Sequence, residues 1–301
     1  MLQGGEAVTV AARPDDARLR GVVLLTCSML FMVLMAAITR QLRLDDYPTV
    51  QIVWARYVFN LALVLALVPH RLPTLLQSKN PLLQIVRAAI ILVGAFIFVV
   101  ALRYVTIADL VAVTFMSPIM ITAFSAPLLK ERVSWHSWVA IGVAFLGMLV
   151  IVRPGFGVVH WAALLPLLLA FCYASNQLII RMIGYLDHPM TSLAYVALVG
   201  SVVTTAIVPF DWRDPDPVGW AWLVATGVIA GLAHLTMIRA YERAAAPVIA
   251  PFIYTELLWA IAVGFFAFGE MPDLWTMVGA AIIASCGLFI LGRERRPRSA
   301  S

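Results

Sequence analysis

The chain has 301 residues, of which 62% are hydrophobic and only 12% are charged. A soluble domain carries roughly 25% charged residues, so this composition excludes an ordinary water-exposed globular protein. The net charge of +5 lies mainly in short connectors and the C-terminal tail, which leaves no basic face for a nucleic-acid backbone. We therefore expect a membrane protein that has membrane lipid as a partner and no nucleic-acid partner.

Ten apolar segments follow one another along the chain, each close to the roughly 20 residues that a membrane-spanning helix needs. The first segment is too long for a signal-peptide core, so we predict that it is retained as a helix. The runs are continuously apolar, which favours helices over the alternating strands of a membrane barrel. The predicted spans are 21–39, 48–68, 82–103, 107–129, 135–152, 159–183, 190–209, 218–241, 245–268 and 274–292.

The lysines and arginines of the connectors predict the orientation, because they concentrate on the cytoplasmic side of bacterial membrane proteins. With both termini in the cytoplasm, fifteen of these cations lie on the inner side and five on the outer side, and Arg56 is left inside a span. The last outer connectors are acidic instead. We predict a multi-pass protein of the bacterial inner membrane with a cytoplasmic N-terminus and C-terminus.

The two halves of the chain share a weak repeated pattern. Residues 101–135 resemble residues 239–275 at an offset of 139, which aligns Glu131 with Glu270. Five spans per half, an odd number, would invert the second half in the membrane, although chance similarity between apolar helices is the alternative. The predicted segments are a cytoplasmic tail at 1–20, a first repeat at 21–152, an inverted second repeat at 159–292 and a basic cytoplasmic tail at 293–301.

Four stretches resemble the drug/metabolite transporter superfamily, in its ten-helix EamA-type branch. They are VWARYVFNLALVLAL in the second span, ALRYVTIADLVAVTFMSPIMI from the third to the fourth, LLKERVSW after the fourth, and FGE after the ninth. The resemblance implies ten helices around a central cavity, with no ATP-binding domain, metal or cofactor. Members export amino acids, as in the YddG-like branch, or other metabolites, whereas some branches import riboflavin or S-adenosylmethionine. Pro247 and Pro251 depart from exact symmetry between the halves.

Two charged residues lie inside predicted spans, where a charge costs about 2.5–3.5 kcal/mol on insertion scales. Glu256 is near the middle of the ninth span, on one helix face with Phe252 and Trp259. Its carboxylate is a candidate proton-coupling site or an anchor for a substrate ammonium group, with a structural hydrogen bond as the alternative. Arg56 shares a face with Asn60, and its candidate partners are a substrate carboxylate or, in an empty site, Glu256; alternatively it snorkels to the interface.

Further polar residues extend this candidate site. Tyr173, Asn176 and Gln177 form a stripe on the sixth span, which predicts a wall of the cavity, although polar contacts between helices are the alternative. His234 in the eighth span is a candidate for gating or proton coupling, although a lone membrane histidine is more often structural.

Three prolines interrupt the predicted spans and remove a backbone donor each. Pro118 in the fourth span, next to the candidate binding residue Ser117, and Pro247 and Pro251 in the ninth are predicted hinges or simple kinks. Trp259 lies deep enough in its span to stack on an aromatic substrate.

These features predict a secondary transporter that exports amino acids, aromatic ones included, by alternating access and needs no cofactor. Uptake of a cofactor-like metabolite such as riboflavin or S-adenosylmethionine is the alternative within the same class. The sequence has no HExxH or GxSxG motif, and its three cysteines have no paired spacing, so neither an enzyme nor a metal site is expected. A non-transporting scaffold subunit remains the alternative from another class. We expect a functional monomer, with a dimer as the alternative.

Overall fold

The computed structural model describes residues 14–67, 77–129, 135–152, 161–183 and 189–294, and within these ranges it contains helices and no strand. Two helices are divided into segments, and we number the ten helices in chain order. They are α1 (Pro14–Leu44), α2 (Thr49–Leu67), α3 (Pro81–Ala101), α4 (Ile107–Thr114 and Met116–Leu129), α5 (Trp135–Val152), α6 (Leu165–Ile183), α7 (Pro189–Ile207), α8 (Pro217–Arg243), α9 (Ala246–Ile249, the 3₁₀ segment Ala250–Tyr254, and Thr255–Phe268) and α10 (Leu274–Glu294).

The ten helices correspond to the ten predicted spans. Seven of them, α1 to α4 and α7 to α9, are long and apolar enough to cross a membrane, and α5, α6 and α10 contain shorter apolar stretches. An all-helical chain satisfies its backbone polar groups internally, as the bilayer requires. The predicted all-α membrane fold is therefore confirmed. The division between repeats at 152 and 159 and most of both tails fall outside the described residues.

Local side-chain chemistry determines where several helices begin and end. The Thr106 hydroxyl accepts a hydrogen bond from the Asp109 backbone N–H at 3.1 Å and caps α4. The Asp216 carboxylate caps α8 in the same way by accepting from the Gly219 N–H at 2.7 Å. Such caps satisfy backbone donors that have no partner inside the helix. The C-terminus of α9 is capped by Gly269, whose φ is +68°. Residues that have a Cβ rarely adopt this left-handed conformation.

Proline interrupts the two helices in which the sequence analysis placed candidate hinges. Pro118 has no N–H to donate to the Thr114 carbonyl, and α4 is broken at the intervening Phe115. In α9 the 3₁₀ segment begins one residue before Pro251. Pro247 lies in the short first segment of α9, and its side chain is outside the described part of the structure. That these breaks move during function stays a prediction.

Helix packing relates the two halves of the chain. The contact between α1 and α8 has a counterpart in the contact between α6 and α3. Likewise, the contact between α2 and α8 has a counterpart in the contact between α7 and α3. Three pairs, α2 with α7, α4 with α9 and α5 with α10, consist of helices five apart in chain order. Exchanging each helix with the one five positions away therefore reproduces these contacts. The helices of the first half therefore contact those of the second half in a pattern that is preserved on exchange of the halves.

Small residues allow α2 and α8 to approach closely. A Cβ added at Gly227 in α8 would lie 2.6 Å from the Phe59 Cβ and 2.7 Å from the Ala55 carbonyl oxygen in α2. Both distances are too short for real carbon contacts, so the helices would have to separate.

We therefore predict that Gly227→Ala lowers the melting temperature in detergent, because overpacking costs about 1–3 kcal/mol, and 1 kcal/mol corresponds to roughly 2–4 °C in a large domain. Gly142→Ala is the matched control, since no described atom beyond its own stretch of helix backbone lies within 4 Å of its added Cβ. Replacing a helical glycine there should leave stability unchanged or slightly higher. Equal melting temperatures for the two variants would contradict the close packing.

Candidate functional site

Side chains from four helices converge between the two halves. Tyr173 on α6 lies within electrostatic range of both Arg56 on α2 and Glu256 on α9. His234 on α8 lies within range of Arg56 as well. These electrostatic interactions place four of the predicted site residues in one region, although their positions in the chain span 200 residues from Arg56 to Glu256.

These four side chains lie well inside the bundle but are not fully buried. Tyr173, His234 and Glu256 lie deep among protein atoms, yet each retains partly accessible surface. Arg56 is also partly accessible. We call these four residues the central site; Arg56 and Glu256 place charges inside membrane-spanning helices, where a charge is costly.

The two charges of the central site are not paired with each other. The Arg56 guanidinium lies over the Phe98 ring of α3. Its carbon is 5.4 Å from the ring centroid, within the reach of about 6 Å of a cation–π interaction. Among the described residues, no ion pair joins Arg56 to Glu256, and none donates a hydrogen bond to the Glu256 carboxylate. The predicted pairing of the two residues in an empty site is therefore absent from this conformation.

Two buried polar atoms beside these charges also have no partner in the described structure. The Asn60 side chain is only 4% exposed, one helical turn from Arg56, and its Oδ1 accepts no hydrogen bond. It faces Gly231, where an added Cβ would lie 3.0 Å from this oxygen. The indole N–H of Trp259 on α9 is likewise buried without an acceptor. Leaving such a group unsatisfied costs about 1–3 kcal/mol, which a ligand or water would recover.

The hydrogen bond of His234 determines its tautomer. Its Nδ1 lies 2.7 Å from the Ala230 carbonyl oxygen. Because a carbonyl can only accept, Nδ1 must carry the hydrogen and donate it. In the neutral ring Nε2 is then left as a hydrogen-bond acceptor, which is the form that can bind a proton or a donor group. A role in gating or proton coupling stays a prediction.

The three residues of the predicted stripe on α6 have different surroundings in the structure. Tyr173 faces the central site, but Gln177 is exposed. Asn176 is half-buried, and its Oδ1 accepts a hydrogen bond from Arg87 Nη1 at 3.1 Å. One of the two lone pairs of the carboxamide oxygen is thus used by a protein partner.

Two other predicted residues are also placed differently. The stripe that joined Phe252 to Glu256 assumed an unbroken α-helix, but residues 250–254 form a 3₁₀ segment that turns the chain further at each residue. Phe252 is accordingly 37% exposed and falls off the stripe. Ser117 is half-buried beside the break in α4, and no described residue forms a hydrogen bond with its hydroxyl.

Arg87 is a buried cation that the sequence analysis missed, because it was counted with the inner cations. It lies inside α3 and is 6% exposed. Its guanidinium donates to Gln84 Oε1 at 3.2 Å, to Asn176, and to the Ser192 carbonyl of α7. It also lies within electrostatic range of His234. An arginine within an apolar run was the signal that identified Arg56, and the same signal was present here.

Comparison with known proteins identifies the family. The model of the EamA-like transporter family matches twice, at residues 19–153 and 160–292. An S-adenosylmethionine uptake transporter of Rickettsia felis is 25% identical over 249 residues, covering 83% of this chain and 85% of that protein. A riboflavin transporter of Vibrio cholerae is 30% identical over 215 residues (71% and 72%), and a pseudopaline exporter of Pseudomonas aeruginosa is 27% identical over 240 residues (78% and 84%).

A solved crystal structure of another protein superposes with a TM-score of 0.62 at 16% identity and covers 94% of this chain and 99% of the other. At this identity the superposition shows the fold alone. The two consecutive matches to the family model, the transporter relatives and the membrane-spanning helices lead to one conclusion. The chain belongs to the EamA-like transporter family of the drug/metabolite transporter superfamily, and it is a multi-pass bacterial membrane transporter of small metabolites rather than an enzyme.

Proposed function

We propose that this chain is a secondary transporter of amino-acid-like zwitterions and that it exports amino acids by alternating access. One observation carries the proposal: Arg56 and Glu256 both lie within electrostatic range of Tyr173, and among the described residues no ion pair joins them. Opposite charges held apart in this way match a solute that has a carboxylate at one end and an ammonium group at the other.

The energetics of a buried charge favour this match. An ion inside the membrane is costly unless water or an opposite charge compensates it. A zwitterion would place its carboxylate against the Arg56 guanidinium and its ammonium group against the Glu256 carboxylate, so that each ion compensates one side chain. Tyr173, within electrostatic range of both, would lie along the solute between its two ends.

The side chain of the solute would meet aromatic and polar groups. Phe98 already lies under Arg56, and Trp259 has a buried indole N–H without an acceptor. An aromatic amino acid would stack on these rings, and the Asn60 oxygen would accept from a bound water.

Alternating access is supported by the relation between the two halves. The contacts between the halves are preserved on their exchange, and α2 and α9, which carry Arg56 and Glu256, each contact the helix five positions away in the other half. Rocking one half against the other would open the central site to each side in turn without moving the site itself far. We further propose that the protomer suffices for transport and that both termini face the cytoplasm of the inner membrane, as the connector charges predict.

A second candidate is the uptake of a cofactor-like metabolite, which the names of the relatives favour. Two of them are named for S-adenosylmethionine uptake and riboflavin transport. S-adenosylmethionine contains an amino-acid group of its own, so the same pair of charges would bind that end of the molecule. Riboflavin has no such zwitterion, and its transport would rely on stacking and hydrogen bonds instead.

Counterflow in proteoliposomes tests the two candidates. We expect vesicles preloaded with unlabelled amino acid to accumulate the labelled compound, with competition by zwitterionic analogues and weaker competition by amines or acids alone. Exchange of S-adenosylmethionine or riboflavin without amino-acid exchange would favour the second candidate. Absence of exchange across amino acids and both cofactors, with protein of normal thermal stability, would remove both proposals.

A further inference from the structure

A cluster of charged and polar residues joins separate segments at one end of the bundle. Arg40 near the end of α1 is 9% exposed, and its guanidinium contacts the Glu270 carboxylate in the connection between α9 and α10. It also donates to the Val105 carbonyl in the connection between α3 and α4, and its carbon lies 5.3 Å from the centre of the Phe268 ring. One side chain therefore connects three segments that are distant in sequence.

A second set of bonds strengthens the same end. The Asp109 carboxylate, in the first turn of α4, accepts from the Thr276 hydroxyl of α10 at 2.8 Å and from the Thr106 hydroxyl at 2.7 Å. Asp109 also lies within electrostatic range of Arg40 and of Glu270. We call Arg40, Asp109, Glu270 and Thr276 the outer cluster, because this end of the bundle is the predicted outer side.

The outer cluster contains two carboxylates, Asp109 and Glu270, but only one guanidinium, that of Arg40. Burial raises the pKa of Glu270, the Arg40 guanidinium pulls it back down, and Asp109 raises it again. Two carboxylates thus depend on one guanidinium while they are partly out of water. Arg40 Nε and Glu270 Oε2 are buried without hydrogen-bond partners, so the closed arrangement leaves bonds that water would satisfy if this end opened. An arrangement stabilised by one cation and only partly satisfied can exist in two states.

The outer cluster is connected to the central site through its helices. Glu270 follows α9, which carries Glu256, and α9 packs against α1, which carries Arg40. We propose that Arg40 holds together an outer gate, which keeps this end of the bundle closed over the central site and opens when the guanidinium releases Glu270 and Val105. This inference rests on the proposed alternating access, and it assigns a transport role to residues outside the central site.

Cysteine accessibility tests the gate without requiring a known substrate. The three native cysteines are replaced by alanine, and Tyr173→Cys places a reporter in the central site. A membrane-impermeant maleimide is added from each side in turn, and Asp214→Cys, at an exposed connector on the cluster side, shows which side is reached. We expect Arg40→Gln to speed labelling of the reporter from the cluster side by about five- to tenfold, because the two carboxylates lose their shared cation.

A matched control separates the gate from charge removal in general. Arg103 also forms an ion pair on this side, with Asp46 at 3.3 Å, but the two side chains are 46% and 72% exposed. Arg103→Gln should leave the labelling rate at the parent value. The double variant with Arg40→Gln and Glu270→Gln should return most of the way toward the parent rate, because the carboxylate that needed compensation is gone.

The outcomes distinguish the gate from a loss of folding. Arg40→Lys keeps the charge but cannot bridge two acceptors with a planar fork, so it should label at an intermediate rate and retain the parent melting temperature. Labelling at the parent rate in folded Arg40→Gln and Arg40→Lys proteins, or equal acceleration in Arg103→Gln, overturns the gate. Failure of counterflow in the wild-type protein, with accelerated labelling of the reporter in Arg40→Gln, would instead remove the proposed transport function and leave the gate.

Discussion

Replacing Glu256 with glutamine should abolish net transport while the protein stays folded. The carboxylate borders the central site, and no described residue compensates its charge by a hydrogen bond or ion pair. If it binds the ammonium group of the solute, its neutralisation removes a buried charge pair, an effect of about 2–5 kcal/mol, or roughly 30-fold or more in affinity. Glutamine has nearly the same shape, so packing should be preserved.

Two measurements on the Glu256→Gln variant identify the role of the carboxylate. Loss of counterflow indicates an anchor for the solute, whereas normal counterflow with loss of gradient-driven transport indicates proton coupling. Glu242→Gln is the control, because Glu242 is an exposed carboxylate near the end of α8. Wild-type rates in both assays would exclude Glu256 from the mechanism.

Replacing Arg56 should change which solutes are bound. Arg56→Gln is expected to raise the KM for carboxylate-bearing solutes by about tenfold or more, since a hydrogen bond to a charged group contributes about 1.5–3 kcal/mol. Decarboxylated analogues should lose less. Arg56→Lys keeps the charge but replaces a planar fork stacked on Phe98, so it should recover only part of the affinity.

The corresponding control is Arg239→Gln, in which an exposed arginine of α8 is removed. It should leave both KM and maximal rate at the parent values. An equal rise in KM for acids and for their decarboxylated analogues would show that Arg56 does not recognise the carboxylate, and melting temperatures in detergent would show whether the variants fold.

Much of the central site was predictable because charge inside an apolar helix is expensive. Arg56 and Glu256 are charged residues within runs of apolar residues, and in the structure both lie within electrostatic range of Tyr173. The same reasoning applied to Arg87 would have identified it as well. It was missed because a cation a few turns from a helix end also fits the cytoplasmic charge pattern.

The prediction failed where it assumed regular geometry. Phe252 was placed on the stripe of Glu256 by α-helical spacing, but residues 250–254 adopt 3₁₀ geometry. Pro251 removes a backbone donor there, so the spacing of an unbroken helix no longer relates side chains on its two sides. Pro251 was visible in the sequence; the geometry of the residues around it was not.

The sequence by itself determined that the chain is a bundle of membrane helices, because long apolar runs can satisfy their backbone groups in lipid only in that form. Family membership was likewise visible in its motifs. The tertiary structure decided which charges meet: Arg40 contacts Glu270 across 230 positions, and Arg87 bonds Asn176 across 89. Hydropathy specifies neither the rotation of a helix about its axis nor its shift along a neighbour, and contacts between distant side chains depend on both quantities.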